Sequence, residues 1–303
     1  MNSGKMTNKG WEFRVDAVPF QNKDWRVGVY FNIAHNENKI TEMPDNYIEE
    51  NYTFGNGNYA YRREEGRPMG SFYGYRYKGV YQNKDATYAR DIEGNVMKDI
   101  SGNAIVMRNG SYTVAPGDAI YEDVNHDGVI NQYDIVYLGN SNPRLTGGAG
   151  LNVSYKQFKL SAIFYGRYGQ DVVNATRLNN ESMRGIDNQS TAVLRRWRNE
   201  GDQTDIPRAL YGEGYNTLGS DRFVEDASYL RLKSLSFTYR LPKKAIQRWG
   251  FNNIDVYVTG YNLFTWTKYT GQDPEVKTEN TYARDTATTP ASIQLVAGFN
   301  LSF

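Results

Sequence analysis

The chain has 303 residues, 39% hydrophobic and 23% charged, with a formal net charge of +1 and an isoelectric point near 7.7. That length suits one large all-β unit or two ordinary domains, and the balanced charge gives no whole-chain field that would select nucleic acid. Cysteine is absent, which excludes disulfides, zinc–thiolate sites and thiol nucleophiles together.

No stretch approaches the roughly 20 apolar residues of a spanning helix. A β-barrel stays open as a way across a bilayer, because its outward and inward residues average to a polar-looking sequence. Aromatic residues make up 14%, including 25 Tyr and 5 Trp, which suits interfacial girdles or a carbohydrate-handling surface. The opening residues Met1-Asn2-Ser3-Gly4-Lys5 hold no apolar segment of a secretory signal. A barrel protein needs one, so the expectation is that residues 1–303 are the C-terminal part of a longer protein whose signal peptide lies elsewhere.

In chain order, Trp11, Phe13, Val15 and Ala17 alternate with Glu12, Arg14 and Asp16. Beyond a polar turn at Gln21 to Asp24, Trp25, Val27, Val29, Phe31 and Ile33 continue the alternation. A strand turns successive side chains to opposite faces, so each segment has one apolar side. Ala149, Leu151, Val153 and Tyr155 lead through Lys156-Gln157 into Phe158, Leu160, Ala162, Phe164 and Tyr168, a hairpin with a two-residue connection. Residues 229–241 switch apolar phase from Leu230 and Leu232 to Leu235, Phe237, Tyr239 and Leu241, as a β-bulge would require. Pro242 stops that strand, and after a short helical turn Ile254, Val256, Val258 and Phe264 give the next. In the last segment Ile293, Leu295, Ala297, Phe299, Leu301 and Phe303 occupy every odd position.

The pattern predicts an all-β chain: seven strands of an antiparallel transmembrane β-barrel segment. Connections at residues 18–24, 156–157 and 242–253 are short; those at 35–144, 169–228 and 267–290 are long and rich in Gly, Asn, Asp and Tyr. Short turns on the periplasmic side and long extracellular loops are the asymmetry of outer-membrane barrels. A soluble β-sandwich shares the alternation but not outsized loops on one side only. Phe72 to Tyr81 is a candidate for an extra strand pair.

Five strings add a family resemblance. Gly4 to Glu12 with Phe31-Asn32 through Ile40, Glu65-Gly66-Arg67-Pro68-Met69-Gly70-Ser71-Phe72-Tyr73-Gly74-Tyr75, Gly139 to Pro143, Val224 to Leu232, and Asn262-Leu263-Phe264-Thr265-Trp266 are similar, in this order, to stretches of SusC/RagA-type TonB-dependent transporters. The resemblance runs the length of the chain and implies the C-terminal strands of a plugged barrel, with the plug domain outside this sequence. It further implies an outer-membrane importer of oligosaccharide or peptide nutrients, driven by TonB, surrounded by outer-membrane lipid and paired with a SusD-like surface lipoprotein.

Asp123-Val124-Asn125-His126-Asp127-Gly128-Val129-Ile130-Asn131-Gln132-Tyr133-Asp134 carries the one metal-binding pattern. It fits a calcium loop with ligands at positions 1, 3 and 5, Gly at 6 and an apolar residue at 8. Asp123, Asn125 and Asp127 would project oxygens into one cup, Val129 would offer its carbonyl, and Asp134 would replace the usual glutamate at 12. A hard cation needs such a cluster of oxygens; the plain alternative is an Asn/Asp/Gly turn.

Catalytic patterns are weak. His126 sits at a non-ligand position of that loop, His35 lies in polar sequence read as loop, and no nucleophile elbow or phosphate-binding glycine loop is present. Glu64-Glu65 reads as solvated surface, and Arg195-Arg196-Trp197-Arg198 as a packing helix within a loop. The expectation is a transporter and not an enzyme. The alternative from another class is a stand-alone glycan-binding β protein with a structural calcium.

Overall fold

The computed structural model describes residues 4–43, 55–212, 214–279 and 282–303. Seven strands form one antiparallel sheet in strict chain order: β1 (Lys5–Gln21), β2 (Trp25–Glu42), β3 (Leu145–Tyr155), β4 (Phe158–Tyr168), β5 (Tyr229–Arg240), β6 (Asn253–Thr267) and β7 (Gln294–Ser302). All seven coincide with the alternating segments of the sequence. The sheet is open, with β1 and β7 at its edges.

The three short connections have local causes. Asn22 closes the first, its Oδ1 accepting the N–H groups of Asp24 at 2.9 Å and Trp25 at 2.8 Å. Lys156 in the second adopts φ 49°, the left-handed conformation that a two-residue hairpin demands. In the third, Pro242 precedes a helical turn at Lys243–Ile246, and Ile246 is fully buried. The phase switch in β5 is a real irregularity of register, falling between Leu232 and Ser234 against β6.

The long connections are not loops in the ordinary sense; they fold together into a second body, here termed the crown. Its main cluster gathers Tyr73, Tyr75, Tyr81, Tyr121, Ile130 and Leu218; a second joins Tyr59, Phe72, Val173, Leu178 and Phe223. The connections are laced to one another. Residues 171–174 pair in parallel with 282–285 and antiparallel with 224–226, while Ala283 N–H donates to Ser141 Oγ at 2.7 Å.

Several sequence expectations change here. The segments 71–74 and 77–80 are strands, but they pair with 136–140 and 119–121 inside the crown and add nothing to the seven-stranded sheet. Their side chains at 71–74 are buried on both faces, as an interior strand allows and a barrel strand does not. His35 lies within β2, not in a loop: its Nδ1 is 2.6 Å from the Arg144 carbonyl and its ring is 5.9 Å from Trp11. The basic segment forms only a short 3-10 turn at Thr191–Arg195, after which Trp197 is buried over Gly117. The helix in this region is instead Ala175–Glu181, capped by Asn174, whose Oδ1 accepts the Arg177 N–H at 2.9 Å.

Candidate functional site

The two faces of the sheet follow from period-two alternation that pairs in register from strand to strand, interrupted by irregularities in β1 after Ala17 and in β5 after Leu232. One row reads Ala17, Val29, Leu151, Ala162, Leu235, Gly260 and Leu295; the next reads Phe20, Val27, Val153, Leu160, Phe237, Val258 and Ala297. Leu295 and Phe299 are 75% and 67% exposed, and Phe13, Val258 and Trp266 are about half exposed, so this apolar face has no protein covering it among the described residues. All odd positions of β7 lie on it, as the terminal alternation predicts.

Aromatic side chains bracket the aliphatic rows. At the short-turn end, Trp25 stacks near Tyr155 at 4.3 Å and Phe158 near Tyr239 at 4.9 Å; toward the crown, Phe164 and Phe264 flank Trp266 at 6.5 and 6.1 Å. From Tyr155 back to Leu145, the length of β3, ten residues at about 3.3 Å each span roughly 33 Å along the strand. At a tilt of about 40° that is roughly 25 Å of height, the thickness of a barrel's apolar band.

The opposite face is polar in the same register. Asn152, Ser161, Ser236 and Thr259 form a row in which Ser161 bonds Asn152 and Ser236 bonds Thr259, both at 2.8 Å. Gly150 makes room for Tyr30: a Cβ there would stand 1.8 Å from the Tyr30 ring. Arg231 is nearly buried between Asp273 and Glu275, donating at 2.5 and 2.9 Å, and thus ties the 267–290 connection back onto the sheet. Sequence reasoning missed this clamp. Its signal is a charge inside the Leu230-Arg231-Leu232 alternation, matched by the acids flanking Pro274.

The acidic loop folds as a tight cup. Asp123 Oδ1 and Asn125 Oδ1 both accept the Asp127 N–H at 3.2 Å, Asp123 Oδ2 accepts the Gly128 N–H at 2.8 Å, and Asp127 Oδ1 accepts the Val129 N–H at 2.8 Å. Asp123, Asn125 and Asp127 are thus drawn together by the backbone N–H groups of the turn. Gly128 has φ 81° and a Cβ there would stand 3.0 Å from the Ala89 Cβ, so the turn requires glycine. Ile130 at position 8 is fully buried, anchoring the loop in the crown core beside Arg108-Asn109.

Asp134 lies across the cup, buried, its oxygens accepting from Val124 N–H and Asn131 N–H at 2.8 Å each. Burial pushes its carboxyl above the ordinary carboxylate range, and the charges of Asp123 and Asp127 push the same way, against the pull of those two N–H donors. The Val129 carbonyl accepts from Asn131 Nδ2 at 3.1 Å. No three acidic, His or Cys side chains converge closely enough to hold a metal by themselves among the described residues. Each carboxylate of the loop already accepts N–H groups of the loop: Asp123 from Asp127 and Gly128, Asp127 from Val129 and the Asn125 amide, and Asp134 from Val124 and Asn131.

An open antiparallel sheet with a banded apolar outside and a polar inside defines a segment of a β-barrel. Along its whole length the chain is similar to TonB-dependent receptors of the SusC/RagA type. It is 32% identical over 286 residues to TonB-dependent receptor P3 of Formosa agariphila, covering 92% of this chain and 26% of that protein. It is 28% identical over 311 residues to TonB-dependent receptor SusC of Bacteroides thetaiotaomicron, covering 100% of this chain and 27% of that protein. A structure of the RagAB peptide transporter superposes with a TM-score of 0.70 at 28% identity, covering 100% of this chain and 30% of that one. The chain thus spans about a quarter of the length of the curated relatives it matches. No family model matches. These relatives are receptors and transporters, not enzymes.

Proposed function

We propose that this chain is the C-terminal part of the barrel wall, with its overlying crown, of a TonB-dependent importer in the outer membrane. In this reading the apolar face meets lipid, the polar face lines the lumen, and the crown stands on the extracellular side. The cargo is an oligosaccharide or peptide nutrient, captured with a SusD-like surface lipoprotein and moved with energy delivered by TonB. The observation that carries the reading is the set of apolar rows running across all seven strands, exposed and bracketed by aromatic residues. The relatedness to SusC and to the RagAB peptide transporter supports the transport class.

The test is uptake by intact cells of labelled oligosaccharides and peptides, with and without the gene, and with and without a protonophore. Uptake that needs both the gene and the energised membrane supports the reading; uptake unchanged by deleting the gene overturns it. Co-purification of a surface lipoprotein with the full-length receptor tests the partner.

The same reading gives the loop at 123–134 a structural calcium held by Asp123, Asn125, Asp127, the Val129 carbonyl and Asp134. Extracellular loops of this kind bind at about 10⁻⁴–10⁻³ M. The ion would neutralise the acids that crowd Asp134 and stiffen an excursion anchored chiefly through Ile130.

A further inference from the structure

The crown holds a crevice of about 330 Å³ walled by Arg62, Arg67 and Arg76 beside Tyr73 and Tyr137. Two of the guanidinium groups lie over rings: Arg62 is 5.3 Å from the Tyr73 centroid and Arg67 is 4.2 Å from that of Tyr137. A guanidinium over a ring face is held there by the ring's electron-rich face, and its N–H groups that point away from the ring are left for an acceptor.

The positive charge is incompletely neutralised. Glu64 Oε2 accepts from the Tyr73 hydroxyl at 2.8 Å and stands 3.9 Å from Arg67 Nε, a long pairing. Arg76 contacts Glu122 at 3.1 Å, but Lys78 shares the same carboxylate at 3.0 Å. Arg62 has no ion pair among the described residues. Among the residues that wall the crevice, three arginines (Arg62, Arg67, Arg76) thus face one carboxylate (Glu64), and the Glu122 carboxylate outside it is shared between Arg76 and Lys78. The Arg67 and Arg76 side chains are about half exposed, so a ligand can reach them.

We propose that this crevice binds the carboxylate of a uronic-acid residue on an oligosaccharide cargo, a proposal that rests on the import reading. The fork of an arginine side chain matches a carboxylate with two parallel hydrogen bonds. An extended peptide fits less well, because it would need a free backbone edge. The strand at 71–74 has none: Tyr73 exchanges both backbone bonds with Ala60 at 2.9 Å on one side and pairs with Tyr137 on the other. A sugar acid needs only those N–H donors and the small apolar wall of Ile135 and Val136.

The test is calorimetric binding of trigalacturonate, and of its methyl ester, to the detergent-solubilised full-length receptor. The acid should bind at least about tenfold more tightly than the ester, the size of one charge-assisted contact. Arg62→Gln and Arg67→Gln should each remove most of that preference while leaving ester binding unchanged, and Arg62→Lys should retain part of it. Heat-modifiable migration confirms that each variant is assembled. Equal binding of acid and ester, or a preference that survives the Arg62→Gln/Arg67→Gln double variant, overturns the proposal. Displacement by triaspartate at lower concentration than by trigalacturonate overturns the saccharide assignment. Failure of the import reading would be seen separately, as uptake of both sugars unaffected by the gene.

Discussion

The sheet and the crown bury opposite things. In the crown, Phe72, Tyr75, Ile130 and Phe223 are almost completely hidden in a packed interior. In the sheet, Phe13, Phe31, Val258, Leu295 and Phe299 stand exposed, while Ser, Thr, Asn and Arg fill the other face. With the sheet face against lipid, as proposed, the difference teaches that one chain can be written for two solvents, and that the meaning of an exposed phenylalanine depends on which solvent its segment expects. In water a bare apolar face of this extent is a liability; in hydrocarbon it needs no cover.

The comparison is tested most severely by equal truncations in the two regions. Phe72→Ala removes a ring packed against Tyr59 and Tyr282 at 6.2 and 5.4 Å, and should cost about 3–5 kcal/mol. Phe31→Ala, on the exposed apolar face, should cost under about 1 kcal/mol in a bilayer, because lipid tails replace the lost contacts. Limited proteolysis of the crown and heat-modifiability of the barrel in the full-length receptor report the two separately. Similar losses for both would break the two-solvent account.

Charge insertion comes next. Leu151 lies on the apolar face and Asn152, its neighbour, on the polar one. Leu151→Arg should therefore cost about 2–4 kcal/mol and depress membrane assembly, with Asn152→Arg nearly silent. Equal assembly of Leu151→Arg and Asn152→Arg would reverse the assignment of the faces.

A smaller effect belongs to the acidic loop. Calcium at about ten times its dissociation constant should stabilise residues 118–138 by roughly 1.4 kcal/mol. The readout is calcium-dependent protection from protease, absent in Asp127→Ala; protection indifferent to chelator would remove the metal. The smallest is a pH response of the calcium-free loop. The Asp134 carboxyl is raised in the folded state, so its contribution is complete below the ordinary carboxylate value and fades as pH rises through the folded value. Hydrogen exchange at 123–134, corrected for its intrinsic pH dependence, should slow on acidification from neutral in chelator, and a faster exchange would contradict it.

The sheet was legible because its code is local: period-two alternation gives each strand, and it breaks only at short irregularities such as those after Ala17 and Leu232. The two-residue turn at Lys156-Gln157 and the bulge after Leu232 could be read directly. The crown was not legible, since its order is non-local. Nothing in the sequence near Val173 announces Arg284 as its partner, and the residues 71–80 alternate like a barrel strand although those at 71–75 are buried on both faces. The acidic loop lies between these cases. Its spacing identified Asp123, Asn125 and Asp127 as a cluster, but the amides that Asp134 accepts from depend on the folded turn at Asn131.

The lacing of the crown also sets an order of events in time. The bond from Ala283 to Ser141 closes a span of 142 residues, and the parallel pairing of 171–174 with 282–285 joins segments separated by β5 and β6. Neither can form until β6 is in place and, in the proposed barrel, all three connections have reached the same side of the membrane. Non-local closure of this kind is slow, because its entropy is spent before any contact rewards it. The crown should therefore be the last part to mature, and its protease resistance should lag behind strand insertion during assembly.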